Sequence, residues 1–274
     1  LHTDVNIISF ENSLKCLEEE GCIFKTNEFF SLTNDISWAI RRKQGNTRAA
    51  TLLPEAMKIG RFLFTFPYVR GVAVSGSLSK MYADEKADID FFIITKANRL
   101  WIARTFMHLY KKLTFLTGRQ HFYCMNYYLD ESALLLEDQN IYTAVETATL
   151  LSVCGDSMHD FLATNHWVSE WFADYNTNNA NKQVLQKGTW IKRTIEWMLN
   201  GKTGERVDNY LMKMTARRWQ NKKQQGKRNE EGKEMDLITG KHFARSNPGM
   251  FQEKLLMLYG QKINELKAQW PEYF

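Results

Sequence analysis

The chain has 274 residues, 44% of them hydrophobic and 13% aromatic, with 15 glycines and 4 prolines. This excludes a disordered, low-complexity or collagen-like chain and, at roughly 100–200 residues per domain, allows one large domain or two modest ones. The net charge of +5 is unevenly spread, since positions 181–274 carry 19 Lys and Arg against 10 Asp and Glu, whereas positions 1–180 carry 17 against 21.

No stretch approaches the ~18 apolar residues of a membrane span, and Leu1-His2-Thr3-Asp4 lacks the basic-then-apolar build of a signal peptide. The expectation is a soluble, cytoplasmic protein; the absent initiator Met suggests trimming or a start inside a longer product. Cys16, Cys22, Cys124 and Cys154 form no CxxC pair, which argues against a zinc site or a disulfide framework. None of the six histidines has metal-ligand spacing.

In chain order, residues 9–20 read as an amphipathic helix stopped by Gly21, a C′ glycine. Residues 22–25 and 28–32 flank Thr26-Asn27 and read as a hairpin, with Asn suited to positive φ. A helix followed by a hairpin is the back end of a winged-helix unit and also occurs in small α+β caps. Helices are predicted over 35–43 and 54–66, the second opening with Pro54 at its first position. Buried strands follow at 69–75 and 89–95. A long helix capped by Asn98 runs through 116 to Gly118, and a third strand covers 121–129.

Two more helices are expected over 139–151 and 156–174, and the polar run at 176–183 reads as a linker. Beyond it, helices are expected at 190–200, 205–219 and 248–270, with a solvated charged loop at 220–234. The fold class is therefore α/β (α+β): a small mixed sheet with flanking helices, in three sections. These are an N-terminal helix-hairpin section (1–66), a core (67–175) and a helical, basic C-terminal region (184–274).

The chemistry concentrates in Val74-Ser75-Gly76-Ser77, ten intervening residues, then Asp88-Ile89-Asp90-Phe91. Residues i and i+2 of a strand share a face, so Asp88 and Asp90 project together. Two adjacent carboxylates raise one another's pKa unless a cation lies between them, and such oxygen ligands suit Mg²⁺ or Mn²⁺. Gly76 permits close approach of an anion to the backbone, and the Ser77 hydroxyl can bond a phosphate oxygen. The combination is a phosphate cradle beside a metal-holding carboxylate pair. Lys80, just after the cradle, and Arg104, on the helix after the second strand, are candidate phosphate ligands.

This pattern resembles the nucleotidyltransferase superfamily that includes DNA polymerase beta, whose motif is an apolar residue, Gly-Ser, a spacer, then Asp-apolar-Asp/Glu-apolar. Residues 69–167 are similar to a prokaryotic group of nucleotidyltransferase-domain proteins of mostly unassigned substrate. The pieces that carry the likeness are VAVSGSLS (72–79), DIDFFIIT (88–95), RLW (99–101), CMNYYL (124–129), YTAVE (142–146) and the N-x-W of Asn165 and Trp167. The resemblance implies a divalent-metal-dependent transfer of a nucleoside monophosphate from a nucleoside triphosphate to an acceptor hydroxyl or phosphate. Asp88 and Asp90 would hold the metal, and Gly76 and Ser77 the phosphates.

Active members usually carry a third carboxylate on a later strand. Here that strand reads FYCMNYYL, with Asn126 at the corresponding place, on a face shared with Cys124 and Tyr128. Asn126 can offer an oxygen but not act as a base, so it is a nucleotide- or metal-contacting candidate, and Asp130, Glu131 or Glu146 are candidate substitutes for the acid. The alternative is a catalytically silent nucleotide- or RNA-binding regulatory module on the same fold. Arg217, Arg218, Lys222, Lys223, Lys227 and Arg228, interleaved with Trp219, make nucleic acid a candidate partner of the basic C-terminal region, although Glu230, Glu231 and Glu234 follow at once.

Overall fold

A computed structural model describes residues 7–85, 87–114, 116, 122–173, 175, 189–228, 232, 237–246, 250–269 and 271. The first helix, α1 (Ile7–Glu19), ends as expected: Gly21 takes a φ of 71°, and the Cys22 N–H returns to the Leu17 carbonyl at 2.9 Å. The hairpin β1 (Phe24–Thr26) and β2 (Phe29–Ser31) turns through Asn27 at φ 54°. Asp35 then caps α2 (Ile36–Phe64) by accepting the Ser37 N–H.

α2 is one helix where the sequence pattern predicts two. Ala39, Gly45, Ala49, Ala56, Ile59, Gly60 and Leu63 are buried along it, and packing of that face carries the helix through Pro54 despite the lost backbone hydrogen bond.

The central sheet runs in the order β6 (Leu151–Cys154), β3 (Val69–Ser75), β4 (Asp90–Thr95), β5 (Cys124–Asp130), β8 (Phe243–Ser246), β7 (Leu237–Thr239). Its centre is β3 (Val69–Ser75), antiparallel to β4 (Asp90–Thr95), which lies parallel to β5 (Cys124–Asp130). The parallel pair needs a crossover, supplied by α4 (Leu100–Thr114), while the four-residue α3 (Gly76–Ser79) begins directly off β3. α2, α4 and the later α8 (Gly201–Gln224) pack Leu63, Trp101, Met107 and Leu211 against Val72, Val74, Phe91, Ile93 and Tyr128 on one face. The other face carries Ala73, Phe92, Ile94 and Leu129, covered by α5 (Ile141–Ala148), α6 (Ser157–Thr164) and the 3₁₀ turn His166–Glu170.

Three short strands escape the sequence reading. β6 (Leu151–Cys154) lies where helices were expected on both sides. Its four residues pair antiparallel with β3, and a short apolar run of this kind carries no distinguishing period. β7 (Leu237–Thr239) and β8 (Phe243–Ser246) lie in the region expected to be helical, and β8 pairs with β5 through Leu129↔Phe243 and Tyr128↔Ala244.

The C-terminal section thus completes the sheet instead of standing apart from it. α7 (Trp190–Met198) reinforces the join: Glu196 accepts the Tyr68 N–H at 2.6 Å and both guanidinium nitrogens of Arg70 at 2.8 and 2.9 Å. Lys192 donates to the Phe64 and Val69 carbonyls, each at 2.8 Å. α8 (Gly201–Gln224) extends into the expected loop, and α9 (Phe251–Gln269) closes the chain. The expected linker at 176–183 lies outside the described residues. Among the described residues no helix is long and apolar enough to cross a membrane.

Candidate functional site

The site lies where β3 ends beside the start of β4. Ser75 pairs with Asp90, and Gly76 turns out of the strand at φ 70°. A Cβ built on Gly76 would collide with the Asp90 carboxylate, so only glycine lets the backbone lie against this acid. Ser77 is exposed at the start of α3. Asp88 just precedes the strand and is exposed, Ile89 is fully buried, and Asp90 is half-buried, so the expected alternation holds although β4 proper begins at Asp90.

Glu146 comes from α5. A capping box between Asn140 and Thr143 starts that helix, and Tyr142 and Glu146 are one turn apart on it. Glu146 accepts from the Lys80 ammonium at 2.9 Å, and the same ammonium donates to the Gly76 carbonyl at 2.9 Å. Burial, then the charges of Asp88 and Glu146, push the Asp90 carboxyl up to about 7, against the opposing pull of Cys124 and Lys111. Burial, with Glu146 and Asp90, also raises Tyr142 above the ordinary phenol range.

On β5, Asn126 donates its side-chain amide to Asp90 Oδ1 and accepts the Cys124 thiol at 3.2 Å. The register shifts here: Phe91 pairs with Met125 and Phe92 with Tyr127, so Asn126 is the extra residue of a bulge. The expected common face of Cys124, Asn126 and Tyr128 is corrected by that bulge, which sends Tyr128 into the opposite core with Phe91 and Ile93. Burial pushes the Cys124 thiol up to about 12, which leaves it un-ionised and poorly nucleophilic near neutrality.

Gly76, Ser77, Lys80, Asp88, Asp90, Asn126 and Glu146 therefore gather at one end of the sheet. Three other candidates do not. Arg104 is buried on the opposite side, its guanidinium 5.5 Å from the Trp101 ring and 5.9 Å from the Tyr128 ring. Asp130 pairs with Thr95, at the far end of β4 from Asp90. It accepts the Asn98 and Ser132 N–H groups at 2.8 and 2.9 Å and meets His242 Nδ1 at 2.8 Å. Glu131, beside it, accepts the Ser157 hydroxyl at 2.8 Å. Asn165, buried, bonds Leu136, Leu134, Phe161 and Trp167, so the N-x-W pair is architectural.

Tyr142 and Lys111 are not singled out by the sequence pattern, although the four-residue spacing of Tyr142 from Glu146 is the signal available for the first. Among the described residues no three or more His, Cys, Asp or Glu side chains are gathered closely enough to hold a metal by themselves. The donor set still fits a hard cation, because Asp88 and Asp90 are oxygen donors two residues apart, and Asp90 faces further negative charge with no basic partner in direct contact among the described residues. Searches against family models, curated proteins and solved structures match nothing to this chain.

Proposed function

We propose that this chain is a divalent-metal-dependent nucleotidyltransferase. Asp88 and Asp90 hold Mg²⁺ or Mn²⁺, and Gly76, Ser77 and Lys80 receive the phosphates of a nucleoside triphosphate. A nucleoside monophosphate passes to an acceptor hydroxyl or phosphate, and pyrophosphate leaves. The observation that carries this reading is Asp90 itself: a half-buried carboxylate pressed against a Cβ-free backbone at Gly76 and facing Asp88 and Glu146.

The bound cation would supply charge neutralisation at the phosphates and between the two aspartates. The remaining work falls to the chain. Lys80 bridges Gly76 and Glu146 and is within the compass of an incoming phosphate. A phosphate that takes over Lys80 releases Glu146, which then accepts the proton of an attacking hydroxyl. Asn126 orients Asp90 through its amide.

The second reading, a nucleotide-binding regulatory module without turnover, is favoured by one observation: β5 presents Asn126, not an acid, to Asp90. Calorimetric titration with each nucleoside triphosphate, with and without Mg²⁺, tests the site common to both readings. Metal-dependent binding lost in Asp88→Asn and Asp90→Asn is the expected result, and equal binding by wild type and both variants overturns it. Pyrophosphate release then separates the enzyme from the silent binder.

A further inference from the structure

α8 runs beside α4 in the same direction. Asp208 accepts the Ile102 N–H at 2.9 Å near the start of the pair. Further along, the charges of Lys111, Lys112 and Arg218 all bear on the His108 ring, and those of Arg218, Lys227 and Lys112 on Lys222. At helical spacing along α8, Tyr210, Lys213, Arg217, Arg218 and Lys222, followed by Lys227, line a groove of about 650 Å³. No carboxylate lines it among the described residues; Glu230, Glu231 and Glu234 lie outside them.

Like charges four apart on a helix repel, and Lys213 with Arg217, and Arg218 with Lys222, are such pairs. The Lys222 ammonium lies 4.7 Å over the Trp219 ring, where it loses hydration and gains no anion among the described residues. Beneath, the buried Arg104 guanidinium has no carboxylate partner among the described residues, and its Nε is unbonded. Among the described residues the positive charge of this face is thus uncompensated, which is the complement of a polyanion. Tyr210, 67% exposed among these cations, offers a flat face for a base, which an acidic polypeptide would not use. Lys111 and Lys112, in the last turn of α4, extend this basic row beyond α8.

We propose that the α4–α8 face docks a single-stranded nucleic acid. Lys213, Arg217, Arg218, Lys222 and Lys227 hold its phosphates, and its path continues over Lys112 and Lys111. That the docked strand is the acceptor of the transferred nucleotide rests on the function proposed above; the docking does not.

The test is fluorescence anisotropy of labelled 20-nucleotide RNA and DNA strands of one sequence with the full chain, in EDTA and without nucleotide, so occupancy at Asp88 and Asp90 plays no part. Binding of either strand is expected, with a log–log salt slope of about −0.7 per phosphate contacted, or about −3.5 for five. The triple variant Arg217→Gln/Arg218→Gln/Lys222→Gln, checked for an unchanged melting midpoint, is expected to bind at least tenfold more weakly with a slope shallower by about 2. Lys213→Gln/Lys227→Gln repeats the test from the groove's ends. No binding of either strand in 50 mM salt, a flat slope, undiminished binding by both variants, or equal displacement by polyglutamate overturns the proposal.

Discussion

Two aspartates stand at opposite ends of the β4–β5 pair, Asp90 opening β4 and Asp130 closing β5 beside Thr95, roughly 16 Å apart at about 3.3 Å per residue, and the chain treats them differently. Asp130, without solvent exposure, collects two backbone N–H groups and the His242 ring. It ties the turns after β4 and β5 to the start of β8. Asp90 has the Asn126 amide, with the Cys124 thiol beside it, and faces two more carboxylates. The contrast separates architecture from chemistry: a carboxylate on which donors converge is a fastener, whereas one surrounded by acids has its deficit of positive charge left for a ligand.

The largest effect expected from this contrast is at the fastener. Asp130→Ala strands buried donors and is expected to cost about 3–5 kcal/mol in urea unfolding. Asp90→Asn in EDTA is expected to be neutral or stabilising, because it removes a repelling charge. Equal losses for the two variants would erase the distinction. Adding Mg²⁺ sharpens it: at a hundred times its Kd the ion should stabilise the wild type by about 2.7 kcal/mol and leave Asp90→Asn unmoved. A wild-type melting curve indifferent to both Mg²⁺ and Mn²⁺ would remove the cation from the site.

The candidate site was legible where its signal is local. Strand alternation puts Asp88 and Asp90 on one side, and a glycine after an apolar strand marks a close approach. Those two facts need no tertiary information. Glu146 was legible only as one of several acids, because its place depends on α5 returning to the sheet through β6, a four-residue strand without a period of its own. Arg104 misled because a cation is expected in solvent, yet it shares the buried face of α4 with Leu100, Trp101 and Met107. Tyr128 misled through the bulge at Asn126, which shifts the alternation by one residue. The α/β class was legible throughout. The sheet's outer strands were not, since β7 and β8 are too short to outweigh the basic, helix-forming sequence around them.

Asp208 is an intermediate case between the two aspartates. It accepts the Ile102 N–H from a neighbouring helix, but burial pushes its carboxyl up to about 6. Between pH of about 4 and about 6, the folded chain retains a proton there that the unfolded chain releases. Stability therefore falls as pH rises through this window and levels off above it. Asp208→Asn keeps an acceptor for Ile102 and removes the titration, so wild type minus variant should change by on the order of 2 kcal/mol across the window. Subtracting the curves is essential because Asp90, raised to about 7, titrates in the same direction. A flat difference curve would mean that Asp208 is held ionised by its donors.

The smallest stability effect, and the sharpest functional one, is expected at Lys80. Its ammonium and the Glu146 carboxylate are each about a quarter to a third exposed, at 27% and 30%, so losing the pair in Lys80→Met should change stability by under about 1 kcal/mol. If Lys80 also receives phosphate, the same substitution should weaken triphosphate binding at least tenfold, about 1.4 kcal/mol. Glu146→Gln should do the reverse, leaving nucleotide affinity intact or improved by freeing Lys80 while slowing pyrophosphate release. Should Lys80→Met bind nucleotide as tightly as the wild type, Lys80 is a strut that positions Glu146. The phosphate cradle then reduces to the backbone at Gly76 and the Ser77 hydroxyl. The two substitutions together decide whether the ion pair at this end of the sheet is a fastener like Asp130 or a contact that substrate displaces.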